Sequence, residues 1–313
     1  MIVVAGEALV DLVPGPDGHL RAHPGGGPFN VARTIGRLEE PVAYLGRVST
    51  DRHGVALRAR LAADGVRLDA IVSTDEPTTV AVAELDGGGA ATYRFETTGT
   101  AAPGLTAEQA LGALPSRIDI LHVGTLGLVL EPMATALEAV VEAMPTETLV
   151  AIDPNCRPGA TPDASGYRRR IARLLRRADL VKVSDDDLAF LEPELPPLEA
   201  ARRLLDRGPS LILLTRGAVG AVVLTAEQEM LVRAPAVKVV DTVGAGDAFG
   251  GAFLAWWRWH GLGPSHLTQL DQAAEATRFA CAAASLTCER AGAVPPRRAE
   301  LTAWLASSPR GPQ

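Results

Sequence analysis

The chain has 313 residues, of which 47% are hydrophobic, and carries 30 basic against 37 acidic side chains for a net charge of −7. That length and apolar share support one large α/β domain or two ordinary ones, and they exclude disorder as the default state. The acidic balance argues against nucleic acid or an anionic membrane surface as the main partner.

In chain order, β-branched runs predict strands at 2–6 (IVVAG), 42–46 (VAYLG), 119–124 (DILHVG), 148–153 (TLVAID), 179–184 (DLVKVS), 210–217 (SLILLTRG) and 236–241 (AVKVVD). Several lack in/out alternation, which suits strands covered on both faces. Helical patterns fall between them at 53–64, 126–144, 166–178 and 199–207, and the last 70 or so residues read as helix at about 246–260, 268–288 and 297–306. Strand then helix, repeated, predicts an α/β fold with a mostly parallel central sheet and right-handed crossovers.

Two stretches break the rhythm. Residues 78–96 read as two strands joined at Asp86-Gly87-Gly88-Gly89, a hairpin signal. Residues 11–24 (DLVPGPDGHLRAHP) read as a shorter excursion with a Pro-Asp-Gly turn. Together they predict a small antiparallel β lid, formed by about 11–24 and 78–96. With no Pro- or Ser-rich linker and no internal repeat, residues 1–313 are expected to form a single domain.

Cys156, Cys281 and Cys288 show no CxxC spacing, and one would be left over from any pairing, which fits a reducing compartment. The N-terminal MIVVAGEALVDL enters a strand pattern at once, and no apolar run reaches about 18 residues. The expectation is a cytoplasmic protein without a membrane partner. Only two basic residues, Lys182 and Lys238, are lysines. That skew toward arginine reflects genome composition better than function.

The chemistry concentrates in KVVDTVGAGDAFGGAFLAWW, Lys238 to Trp257. A P-loop needs G-x-x-x-x-G-K-[ST], and no lysine is available. A dinucleotide fold needs a further strand ending in an acid about 20 residues on, but helix follows instead. The remaining reading is an anion hole: a strand stops at Asp241, Gly244 to Gly246 make a tight turn, and a helix starts near Asp247. Free N–H groups and the positive dipole end would favour a phosphoryl group. Asp247 would then lie within reach of whatever attacks the phosphorus. The plain alternative makes Asp247 an N-cap only.

DTVGAGDAFGGAFL resembles the C-terminal signature of the PfkB (ribokinase-like) carbohydrate kinases, and the resemblance runs the length of the chain. GGGPFNVA (25–32) is similar to that family's other signature and LGRVSTDRHG (45–54) to the stretch after it. DPNCRP (153–158), VKVSDDD (181–187), LLTRGAVGA (213–221) and TCERAGA (287–293) resemble its fructokinase-like branch. Where the first signature usually carries a small residue, this chain has Glu39, read as a change in a helix-to-strand turn.

The resemblance implies a ribokinase-like three-layer fold and transfer of the γ-phosphate of ATP, with Mg²⁺, to a primary hydroxyl of a small neutral sugar. Asp247 takes the role of base, and Gly244, Ala245 and Gly246 supply N–H groups to the developing charge. Asp11 and Asn30 fall on sugar-hydroxyl ligands, Gly25 and Gly26 permit close approach of backbone to sugar, and Arg157 touches phosphate or sugar. Ser184, Thr215, Gly217, Gly220 and Cys281 fall on the nucleotide side, Cys281 where many members carry an Asn near the adenine. Asp187 keeps the carboxylate of the Mg²⁺-associated motif on a shorter arm, so contact through water is expected. Asp241 and Val243, with carbonyls near 287–292, resemble a K⁺ site. Trp256, Trp257 and Trp259 are read as packing residues rather than a sugar platform.

The same chemistry on 2-keto-3-deoxygluconate, ribose or a nucleoside stays open, as does a sugar or nucleotide sensor without turnover. The partners expected are the small-molecule sugar and ATP, with a second copy of the chain paired through the exposed lid edges.

Overall fold

The computed structural model describes residues 1–15, 17, 19–85 and 91–307. The elements run, in chain order, β1 (Ile2–Ala5), β2 (Leu9–Pro14), β3 (Leu20–Gly25), α1 (Gly27–Arg37), β4 (Val42–Ser49), α2 (Arg52–Ala63) and β5 (Ile71–Thr74). Next come β6 (Val80–Leu85), β7 (Ala91–Glu96), α3 (Ala107–Gly112), β8 (Ile120–Gly124), α4 (Met133–Glu142), β9 (Leu149–Asp153) and α5 (Ala164–Leu175). The chain continues through β10 (Leu180–Ser184), α6 (Asp185–Leu191), α7 (Pro197–Leu205), β11 (Leu211–Thr215), β12 (Gly220–Leu224) and β13 (Glu229–Arg233). It ends in α8 (Ala245–Trp259), α9 (Leu270–Cys288) and α10 (Arg298–Ser307).

Among the described residues the large sheet has nine strands in the order β13-β12-β11-β10-β9-β8-β1-β4-β5. Its pairs from β11 to β5 are parallel, and β12 and β13 add an antiparallel edge. The central strands are buried on both faces. Ile2 and Val4 pack with α1, α8 and α9, while Val3 and Ala5 pack with α4. That double burial is why these runs show no alternation of apolar and polar residues.

The predicted lid exists as a four-stranded sheet in the order β3-β2-β6-β7. β2/β3 and β6/β7 are antiparallel, but the central β2/β6 pair is parallel, so the lid is two hairpins laid side by side. The predicted turn at 86–89, and Pro16 and Gly18 of the first hairpin, lie outside the described residues.

The predicted strand at 236–241 is absent. The N–H groups of Val240 and Asp241 donate to the Cys288 carbonyl instead of to a sheet neighbour, and Val239 and Val240 are exposed. A β-branched run alone does not make a strand where no sheet edge is offered. The helix expected over 126–144 is shorter, beginning at Met133. Glu39 does sit in the turn after α1, with φ of 64°. Among the described residues no helix is long and apolar enough to cross a membrane.

Candidate active site

Site residues gather at the carboxyl ends of the central strands, where open α/β sheets hold ligands. α8 starts there. Gly244 is its N-cap with φ of 77°, a left-handed conformation that costs glycine nothing, and no side chain caps the helix. A methyl group at Gly244 would also lie 2.5 Å from the Ala293 side chain. Gly246 and Asp247 occupy the second and third helical positions, where N–H groups lack intrahelical acceptors. The Ala245 N–H donates to Thr242 O at 3.2 Å, so the turn already engages one of the three expected donors.

Asp247 is not a cap: its carboxylate accepts from Asn30 Nδ2 at 2.9 Å, across 217 residues of sequence. Burial pushes its pKa up, while the Asn30 hydrogen bond and the nearby Lys182 and Arg157 charges pull it back down. Asn30 is oriented in turn by Arg33, whose Nη1 donates to Asn30 Oδ1 at 3.4 Å and to Ala293 O at 2.9 Å. Arg33 is buried and pairs with Asp64 at 2.8 Å. The chain Asp64–Arg33–Asn30–Asp247 thus fixes which end of the carboxamide faces the acid.

On the lid side, Asp11 sits on β2, paired with His23 of β3, with its carboxylate beside Gly25. A Cβ at Gly25 would fall 2.2 Å from Asp11 Oδ2, and one at Gly26 2.7 Å from the Glu7 carbonyl. A side chain at Gly26 would therefore meet backbone, while one at Gly25 would displace the Asp11 carboxylate. Burial and the Asp247 charge raise Asp11 to about 6. Tyr93 and Phe95 stack on one face of β7, centroids 6.5 Å apart, and Arg94 pairs with Glu96 on the other. Arg157 is exposed; its Nη1 donates to the carbonyls of Asn155 and Cys156. Its charge is felt by both Asp247 and Tyr93, which puts it at the mouth of the cleft between core and lid.

Glu7 carries no functional reading in the sequence, yet it is fully buried beneath this site. Its two oxygens accept from the N–H groups of Gly27 at 3.0 Å and Gly127 at 2.9 Å. Burial outweighs these bonds and raises it to about 8. It ties the entry to β2 to the first turn of α1 and the segment after β8, so it anchors both roots of the first lid hairpin.

On the far side, Ser184 caps α6, and Asp187 completes the capping box. The Asp187 carboxylate accepts from Cys156 N, Ser184 N and Ser184 Oγ at 2.6, 2.8 and 2.7 Å. Among the described residues no group of three or more His, Cys, Asp or Glu side chains is assembled to hold a metal ion. Thr215 Oγ1 donates to Val183 O, and Gly217 (φ 53°) lies in the exposed loop that leads to Gly220 (φ 116°). Val219 in that loop is exposed, as are Val239, Val240 and Val243 in the segment before α8. Asp241 joins two segments, accepting from Val243 N at 3.0 Å and Gly292 N at 2.7 Å.

Cys281 corrects an expectation. It is 3% exposed, packed in the core between α9 and its neighbours with its thiol pushed up to about 12 by burial, and it offers no polar group to the cleft. The tryptophans pack as expected: Trp257 is buried against Phe253, Trp256 stacks on His260, and Arg298 lies over Trp259.

A buried acid beside an open helix start, faced by a carboxamide and a lid carboxylate, suits transfer of a phosphoryl group to a hydroxyl. The model for pfkB family carbohydrate kinases matches residues 1–299. The chain belongs to the pfkB family. It is similar to a fructokinase of Rhizobium leguminosarum bv. trifolii, 35% identical over 260 residues, covering 82% of this chain and 79% of the relative. Its fold is similar to that of a Vibrio cholerae O395 fructokinase solved with fructose, ADP and calcium ion. That match has TM-score 0.85 and 29% identity, over 97% of this chain and 98% of the other. A Xylella fastidiosa fructokinase with bound ATP matches at TM-score 0.88 and 25% identity, over 97% and 98%. This pfkB member is therefore a fructokinase-like sugar kinase, a phosphotransferase with a sugar hydroxyl as acceptor.

Proposed function

We propose that this kinase transfers the γ-phosphate of ATP to a primary hydroxyl of fructose, with Asp247 as the base. The observation that carries the reading is the Asp247 carboxylate, buried at the third position of α8 and held on one oxygen by Asn30. Its other oxygen is left to accept the acceptor's proton as the hydroxyl attacks phosphorus. Because phosphoryl transfer is loose, that proton moves late, and a carboxylate ionised near neutral pH suffices. The N–H groups of Gly246 and Asp247, with the helix dipole, stabilise charge on the transferring group.

Asp11 and Asn30 bridge sugar hydroxyls, and Gly25 and Gly26 bring backbone close to them. Arg157 reaches sugar or phosphate. The exposed Val219, within the loop that carries Gly217 and Gly220, and the exposed Val239, Val240 and Val243 before α8 offer apolar surface that suits a nucleotide base. Mg²⁺ bound to the phosphates would neutralise their charge. With Asp187 already accepting three hydrogen bonds, its contact with that ion runs through water. Asp241, which accepts from Val243 N and from Gly292 N after α9, would with Val243 and backbone carbonyls frame a K⁺ ion. ATP as donor and three free cysteines fit a cytoplasmic setting.

The outer lid face carries Leu12, Pro14, Leu20, Ala22 and Val82, with Leu20 exposed, beside edge strands β3 and β7. A homodimer through the lid would cover it. Light scattering should give twice the monomer mass at micromolar concentration, and a monomer there ends the dimer proposal. For the reaction itself, ADP release is measured with a panel of monosaccharides and nucleosides. Fructose should give the highest kcat/KM. A folded protein that binds fructose but releases no ADP with any acceptor would be a sensor instead.

A further inference from the structure

Beneath the first turn of α8 lies a buried pair that the reaction scheme does not use. Lys182, on β10, donates from Nζ to Asp153 Oδ2 on β9 at 2.9 Å. Both side chains are almost fully buried. A methyl group on Gly246 would stand 3.2 Å from Lys182 Nζ, so the ammonium lies directly against the turn that receives phosphate. A small cavity lined by His122, Asp153, Lys182, Gly250, Phe253 and Leu254 separates the rest of the pair from α8.

The pair is poorly built as a stabilising device. Asp153 Oδ1 is buried with no partner, and a buried ion pair is often no better for stability than an apolar pair of the same volume. Lysine is also rare: two of the chain's 30 basic side chains are lysines, and this is one of them. Arginine would spread its charge over a planar fork, whereas an ammonium is compact enough to sit between a strand and a glycine. Burial works against the Lys182 charge, yet Asp153, Asp187 and Asp247 together raise its pKa above the ordinary lysine value. His122 beside it is held neutral, pushed down to about 3 by burial and the Lys182 charge.

We propose that Lys182 is a positioning residue for phosphoryl transfer: held by Asp153 under the start of α8, its ammonium keeps Asp247 ionised and deepens the positive field at the Gly244–Gly246 turn. The inference rests on the kinase reading above. The charged groups around Asp247 come from five elements: Glu7 after β1, Asp11 on β2, Asp153 at the end of β9, Arg157 in the loop after it, and Lys182 on β10. Three of these five are carboxyls besides Asp247 itself, and burial, helped by the Asp247 charge, pushes each of them up, while the two cations pull Asp247 down against its own burial. Of the two cations, Arg157 is exposed and screened, so Lys182 carries most of the compensation.

The test compares wild type with Lys182→Met and with the double variant Asp153→Asn/Lys182→Met, which leaves no unpaired buried charge and guards against misfolding. Steady-state kinetics with fructose at saturating ATP are followed across pH. In parallel the Asp247 carboxyl is titrated by ¹³C NMR without substrates, its signal assigned by loss in Asp247→Asn. In both variants kcat should fall about 10- to 100-fold with KM for fructose within about threefold. The acid limb of the profile, and the Asp247 titration, should move up by about one pH unit or more. Recovery of kcat and of the acid limb in the double variant would show that Lys182 only neutralises Asp153, and would overturn the proposal. An unmoved Asp247 titration in Lys182→Met would overturn it too. If the wild type transfers no phosphate to any acceptor, the kinase reading fails, while the NMR titration still decides the role of Lys182.

Discussion

At the start of α8 the polar side chains are buried and hold one another, whereas in the lid the corresponding groups are half-buried and wait for a partner. Asn30 meets both Asp247 and Arg33, and Arg33 meets Asp64, so four side chains from three segments form one hydrogen-bonded line. Asp11 has no such line. It faces a glycine, and burial together with the Asp247 charge keeps it near 6. The contrast matches the proposed chemistry: Asp247, as base, would have to be in place before substrate arrives, while the lid face would have to open and close over the sugar.

If the corner is preorganised and the lid is not, damage to the corner should strike turnover and spare binding. Asp247→Asn keeps the shape and the Asn30 neighbour but cannot take a proton. We expect kcat to fall by about 10²–10⁴ with fructose and ATP still bound, measured by steady-state kinetics and by calorimetric titration of each ligand. Near-normal turnover would move the base elsewhere.

A second way to probe the contrast is through Glu7, which joins the two regions. A carboxyl whose folded pKa lies above its unfolded value binds its proton more tightly when folded. Its contribution to stability is therefore greatest at low pH and declines as pH rises from about 4.5 through about 8. Glu7→Gln removes the titrating proton and leaves one N–H of Gly27 or Gly127 facing an amide nitrogen. The variant should be less stable at pH 5, yet its melting temperature should fall more slowly than that of wild type toward pH 8. The gap between the two is expected to close by a few degrees. Parallel melting curves over that window would argue that Glu7 stays ionised and owes its state to the two N–H donors.

The same contrast governs what the sequence disclosed. Strands β1, β4, β8, β9, β10 and β11 were legible because double burial writes continuous apolar runs. The edge strand β13 was not, because EMLVR is mostly exposed and carries no such pattern. β12 was hidden in a motif, GAVGA, that reads first as a turn. In the site, Asp247, Asn30 and Asp11 came from motif resemblance, and the structure brings Asp247 and Asn30 into contact. The Arg33–Asp64 and Lys182–Asp153 pairs and the two Glu7 contacts join residues between 20 and 120 positions apart, which no local spacing reveals. One signal was available for Lys182: a lysine on a fully buried strand, in a chain that otherwise uses arginine.

The mildest perturbation changes the acceptor rather than the enzyme, and it reads the lid directly. The family resemblance over YRFETTGTAA (93–102) implies that members acting on acid sugars carry an arginine shortly after the second lid hairpin, at the position that Thr97 holds here. Of the cations nearby, Arg94 is paired with Glu96 on the face opposite Tyr93 and Phe95. Arg21 is exposed beside Asp17 on the other hairpin. Arg157 stands at the cleft with its guanidinium on two backbone carbonyls, and turning it to a substrate would break those bonds. A buried carboxylate that lacks a bidentate partner forgoes a charge-assisted contact of about 1.5–3 kcal/mol. It would also add a negative charge beside Asp247 and Asp11. Fructose brings no charge, and its hydroxyls need only the acceptors that Asp11 and Asn30 supply. Fructose should therefore exceed 2-keto-3-deoxygluconate by at least about tenfold in kcat/KM at saturating ATP. A preference for the acid sugar would mean that Arg157 leaves its carbonyls on closure, and that the lid, rather than the corner, sets the specificity.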